Sequence, residues 1–86
     1  MDTEKLYKLG YHFVAALGDY DLFIKDNGGP YHDAYIRYHD NVNTKDKKLI
    51  LTTDDVKAIM FTIEDIESSE YYAEDDYRYI NRLLNI

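Results

Sequence analysis

Residues 20–39, YDLFIKDNGGPYHDAYIRYH, constrain the fold more than any other stretch. Ahead of DNGGP, Tyr20, Leu22 and Ile24 share one side of an extended chain. Behind it, Ala34, Ile36 and Tyr38 do the same, with Asp33, Tyr35 and Arg37 on the other side. A period of two is the period of a strand, because successive side chains point to opposite faces. Asn and Gly in the connecting Asp26–Gly29 stretch tolerate positive φ, and Pro30 has no N–H for a ladder. Two such runs around that turn predict an antiparallel hairpin.

The remaining segments are assigned around this hairpin. MDTEKLYKLGYHFVAALG reads as a helix over 1–18, capped by Asp2 or Thr3, with Leu6, Leu9, Phe13 and Leu17 at three- and four-residue steps. Tyr7 and Tyr11 extend its apolar side, His12 lies on it, and Gly18 is its stop, although Gly10 weakens the middle. Residues 40–48 are polar, a loop, and Leu49–Leu51 form a short third strand. Thr52 or Thr53 then caps a helix with Asp54 and Asp55 in its first turn and a stripe of Val56, Ile59, Met60, Ile63 and Ile66. Ser68 and Ser69 end that helix and are placed to cap another, in which Ala73, Tyr77, Ile80 and Leu84 line one face beside Leu83. The expectation is an α+β fold of order α-β-β-β-α-α. Its three-stranded antiparallel sheet would be packed by helices, in a single domain over 1–86.

Composition narrows the function classes. A chain of 86 residues supports one modest core. No cysteine is present, which removes disulfides, thiolate nucleophiles and cysteine-bound zinc. A small domain without such staples suits the cytoplasm, and the sequence has neither a leader-like start nor an apolar run long enough to span a membrane. A net charge of −7 disfavours direct binding to nucleic acid or anionic lipid and favours a basic protein partner. Nothing calls for more than one copy, so a monomer is expected.

Reactive chemistry has little to stand on. Ser68 and Ser69 have no histidine nearby in sequence, G-x-S-x-G does not occur, and DNGGP lacks the spacing of a phosphate-binding glycine loop. His12, His32 and His39 are too scattered for a metal, and no calcium-loop pattern is present. The expectation is therefore a non-enzymatic protein without cofactor or metal. The tyrosines at 20, 35 and 38 are expected to pack on the sheet rather than to make contacts with a partner.

The charge has one source. EDIESSEYYAEDDY, residues 64–77, holds seven carboxylates and no cation, so the ten acids elsewhere balance the ten Lys and Arg. Asp and Glu belong on solvated helix faces and at helix N-termini, which accounts for some of them. Three features point further. The acids meet no basic residue until Arg78, so they repel rather than pair along the helix. They straddle the Ser68–Ser69 corner. And they are interleaved with Tyr71, Tyr72 and Tyr77, a residue type enriched at binding hot spots. Carboxylates three or four residues apart on a helix lie about 5–6 Å apart at Cβ, a spacing of the order of phosphates along a DNA strand. The candidate partner-binding residues are Glu64, Asp65, Glu67, Glu70, Tyr71, Tyr72, Glu74, Asp75, Asp76 and Tyr77.

On these residues the chain resembles the small acidic anti-CRISPR proteins encoded by Listeria prophages. The local likeness is EYYAEDDYRYINRL, Glu70 to Leu83, which looks like that family's acidic-aromatic opening of its last helix. TTDDVKAIMFTIEDI sits where the family has its second helix, and YDLFIK where it has its first strand. The resemblance implies a phage protein that inhibits a type II RNA-guided CRISPR nuclease by imitating DNA at the site that reads the PAM. It also implies that Glu70, Glu74, Asp75 and Asp76 compete for the nuclease's arginines. One departure is chemical: where the family has an acidic Asn-Asp-Gly turn, this chain has HDNVNTKDKK, with Lys45, Lys47 and Lys48. The alternative class is an immunity protein or antitoxin that neutralises a cognate toxin through the same acids and tyrosines.

Overall fold

The computed structural model describes residues 1–40, 42–69 and 73–86. They form two compact units, Met1–Thr52 and Thr53–Ile86. The class is α+β as expected, but the antiparallel sheet has four strands rather than three, and three helices accompany it.

The extra strand comes from the N-terminal segment. A helix does form, but only over Thr3–Lys8 (α1), where Asp2 Oδ1 accepts from the Lys5 N–H at 2.8 Å. Gly10 then takes φ +96. Its N–H donates to the Tyr7 carbonyl at 3.0 Å, and the Tyr11 N–H reaches the Leu6 carbonyl at 3.0 Å. This is a Schellman closure, with the left-handed residue just past the helix end and an apolar contact between the residues that flank it. Leu6 and Tyr11 make that contact, sharing a buried cluster with Phe23 and Tyr35. Gly10 therefore stops the helix instead of weakening it. Released from the helix, HFVAAL becomes a strand, His12–Leu17 (β1), so His12 is a strand residue, and Tyr7 is exposed rather than part of an apolar helix face.

Gly18 does not end a helix either. With φ +71 it is the first residue of a two-residue turn, Gly18–Asp19, that joins β1 to β2 (Tyr20–Asp26), Leu17 pairing with Tyr20. Glycine at the first central position is what a type II′ hairpin turn requires. The expected hairpin follows: β2 pairs with β3 (Tyr31–Tyr38) through Phe23 and Tyr35, and Gly28 at φ +77 donates to Asp26 Oδ1 at 2.8 Å in the turn. The third short strand is longer than LIL, running over Lys47–Thr52 (β4), antiparallel to β3. The strand order is β1-β2-β3-β4. One face of the sheet carries buried Leu17, Tyr20, Leu22, Ile24, Ala34, Ile36 and Leu51, and the other carries Phe23 and Tyr35 with Leu6 of α1 against them. Tyr20 and Tyr35 are buried, as expected, and Tyr38 stacks edge-on against Tyr20 at 6.0 Å.

The second unit is a pair of packed helices, Thr53–Ser68 (α2) and Glu74–Leu83 (α3). Ile59 and Ile63 are buried on α2 together with Thr62, whose hydroxyl donates to the Ala58 carbonyl at 2.7 Å. Met60, expected in this stripe, is instead exposed. At 3.6 residues per turn it lies about 100° around the helix from Ile59. Ile80 and Leu84 are buried as expected. Asn85, with φ 59, closes α3 through Ile86 N–H to Asn81 carbonyl at 2.8 Å, a second Schellman closure made by asparagine.

Candidate functional site

The acidic segment falls on two helix ends of opposite polarity. Glu64, Asp65 and Glu67 occupy the last turns of α2, all exposed, and that turn contains no basic residue. Glu74 and Asp75 are exposed and Asp76 half-buried in the first turn of α3. Glu70, Tyr71 and Tyr72 lie outside the described residues, and Tyr77 is half-buried on α3.

This polarity separates the acids by what they do locally. A helix carries about half a positive charge at its N-terminus and half a negative charge at its C-terminus, so an acid is favoured at the first and penalised at the second. The N-cap of α3 is Ala73, which makes no side-chain cap hydrogen bond, and neither serine takes that place. Ser68 instead turns back, its hydroxyl donating to the carbonyls of Glu64 at 2.9 Å and Asp65 at 3.3 Å. The three acids of the first turn thus compensate an uncapped helix start. Glu74 is further occupied by Arg78 one turn on, at 2.6 Å. No such service explains Glu64, Asp65 and Glu67. They add negative charge to the negative end of α2 and, among the described residues, have no ion pair.

The sequence reading missed the apolar residues beside them. Phe61 is 67% exposed and lies about 200° around α2 from Ile59, so its ring projects on the outer side with Glu64 and Asp65 one turn on. Met60 is 44% exposed and stands over Glu64 and Glu67 on the same reckoning. The signal was available for Phe61, which falls outside the stripe of Val56, Ile59, Met60, Ile63 and Ile66 and so breaks the polar side of α2.

A second concentration of charge sits on the sheet unit. Arg37 Nη2 donates to Asp21 at 2.8 Å, Nη1 to the Thr3 hydroxyl at 2.8 Å, and the guanidinium lies 4.9 Å from the Phe23 ring centre. His39 Nε2 meets the other Asp21 oxygen at 2.8 Å. Burial alone would raise the Asp21 pKa, but hydrogen bonds from His39 and Arg37 outweigh it and hold the carboxyl below its ordinary value. Tyr35 donates to Asp46 at 2.5 Å, and the Met1 amine reaches the same carboxylate at 3.1 Å. Burial, then the Asp46 hydrogen bond, pushes the Tyr35 phenol up to about 12. A surface pocket of about 540 Å³ opens here, lined by residues that include Met1, Arg37, His39, Lys45 and Asp46. Arg37, His39 and Asp46 have partners within the protein, so the arrangement braces the sheet.

Among the described residues no three His, Asp or Glu side chains are placed to hold a metal, and no helix is long and apolar enough to cross a membrane. Compared with known proteins, the chain matches no family model, no characterised protein and no solved structure.

Proposed function

We propose that this chain is a non-enzymatic inhibitor that presents an acidic, aromatic-edged surface to the DNA-binding groove of a basic protein, a type II RNA-guided CRISPR nuclease first of all. One observation carries this reading. Glu64, Asp65 and Glu67 stand exposed, without a cation among the described residues, at the helix end that disfavours them. Charge kept at a structural cost is supported by a use outside the fold, and a groove lined with Lys and Arg for phosphates is a partner of the right sign and spacing. Glu70, Glu74, Asp75 and Asp76, implied by the family resemblance, extend the same charge along the chain. The partner would be held by competition for its arginines, with long-range attraction speeding the encounter at low salt.

The test is competition. A guide-loaded type II nuclease is incubated with the protein before PAM-containing DNA is added, at low and moderate salt. Wild type should block DNA binding, and E64Q/D65N/E67Q should inhibit at least about tenfold more weakly, the scale of one or two lost interfacial charge pairs. A parallel variant, E70Q/E74Q/D75N/D76N, reports on the residues implied by the resemblance. An absence of inhibition by wild type at any salt overturns the nuclease as target.

One observation favours a second reading, an immunity protein or antitoxin. Phe61 and Met60 bring exposed apolar surface to the acidic turn, and a phosphate imitation has no need of it. A toxin-binding hot spot built on a ring and flanked by acids does. Inhibition or capture that survives high salt and is abolished by F61A would favour this class.

A further inference from the structure

The two edges of the sheet are not alike. β1 is interrupted where its register with β2 shifts between Phe13 and Ala15, a bulge of the kind that blunts an edge. β4 has no such break: Lys47 to Thr52 pair with β3 in one unbroken register, and β3 is its only strand neighbour among the described residues. Lys48, Ile50 and Thr52 are exposed along it, Ile50 to 67%. A long, regular edge with an exposed β-branched residue at its centre is a template for another strand.

We infer that this edge pairs with the β4 edge of a second copy of the chain, antiparallel about a two-fold axis at Ile50, in place of the monomer expected from the sequence. The strand is complementary to itself read backwards. With Ile50 opposite Ile50 of the other copy, Leu49 meets Leu51 and Lys48 meets Thr52. Each sheet face then continues into the same face, apolar beside apolar. Sliding the pairing one way sets Lys47 opposite Leu51 in the apolar row, and sliding it further sets Lys48 opposite Lys48. The first sets a charge against an apolar side chain, and the second sets like charges directly opposite, which destabilises a sheet. The chosen register also brings the lysines that open one strand to the end where the other chain runs from Thr52 into Asp54 within two residues. A two-fold contact of this self-matching kind is the commonest closed assembly.

The absence of cysteine makes a clean test possible. Ile50→Cys places one thiol on the proposed axis, where opposed Cα atoms in an antiparallel pair lie about 4.5–5.5 Å apart, within disulfide range. Phe61→Cys is the control, because Phe61 is equally exposed and lies off the strand. Under mild oxidation at micromolar protein, I50C should form disulfide dimer at least about tenfold faster than F61C. Wild type should give twice the 10.2 kDa chain mass by light scattering, and I50K should halve it with the circular dichroism unchanged. If I50K does not fold, T52K, which sets lysine opposite Lys48, carries the same test. A single-chain mass for wild type up to about 1 mM, or I50C cross-linking no faster than F61C, overturns the pairing. So does a dimer that I50K or T52K leaves intact. The acidic residues enter none of these readouts, so the outcome is separate from that of the nuclease competition.

Discussion

The two units divide the chain's charge unequally. Residues 1–52 carry eight acids against seven Lys and Arg, a net of −1, while residues 53–86 carry nine against three, a net of −6. In the sheet unit the charges work for the fold: Asp21 is held by Arg37 and His39, Asp46 by Tyr35 and the Met1 amine, and Glu4 by Lys8. In the helical unit, Glu64, Asp65 and Glu67 have no such employment among the described residues. A carboxylate that satisfies a neighbour is explained by that neighbour, whereas one placed against a helix dipole needs a reason from outside the unit.

The comparison breaks most severely at Phe23. F23A empties a fully buried site enclosed by Leu6, Tyr11 and Tyr35 and removes the ring beneath Arg37. The expected loss is about 3–5 kcal/mol in urea denaturation, a large part of the stability of a domain this size. R37A should cost about 1–3 kcal/mol by the same measurement, because it leaves Asp21 and Thr3 short of a donor. R37K should recover only part of this, since an ammonium lacks the planar fork. The Asp21 contribution is also pH-dependent. Its folded pKa lies below the ordinary carboxyl value of 3.8, so its stabilisation is present above that value and is lost as pH falls through the folded pKa. D21N should flatten this acid limb of the stability profile.

Smaller effects sharpen the contrast within the helical unit. Neutralising Asp65 or Glu67 in the last turn of α2 should raise stability, and neutralising Asp75 at the start of α3 should lower it. Each effect should be about 0.3–1 kcal/mol at low ionic strength and should fade with salt. Equal signs at the two ends would show that dipole placement does not distinguish them. The smallest effect is spectroscopic. Absorbance titration should show Tyr35 ionising only near pH 12, above the ordinary tyrosine value. A raised folded pKa means that the Tyr35 contribution is complete below about 10 and is lost as pH rises through about 12.

The central hairpin was legible because its two alternating runs and DNGG turn agree with each other. α2 and α3 were legible for the same reason, their buried Ile59, Ile63, Ile80 and Leu84 matching the helical period. The N-terminal segment was not, because two signals compete there. Leu6, Leu9, Phe13 and Leu17 keep helical spacing, while HFVAAL suits a strand, and Gly10 decides between them only through backbone bonds that the letters do not display. Taking 1–18 as helix also hid the Gly18–Asp19 turn and with it the fourth strand. The acidic run was plain in the sequence. Which of its members had local work depended on where α2 stops and on α3 starting without a cap.

The strand order bears on how fast the sheet unit can form. Every strand pairs with its immediate predecessor, through connections of two, four and eight residues. No long loop has to close before a native contact rewards it, and closure cost grows only slowly over such short spans. Domains dominated by neighbouring contacts cross their barrier sooner than sandwiches whose strands pair at a distance. Because the order runs from the N-terminus, each hairpin can zip as its second strand leaves the ribosome, without waiting for the acidic helices still to be made.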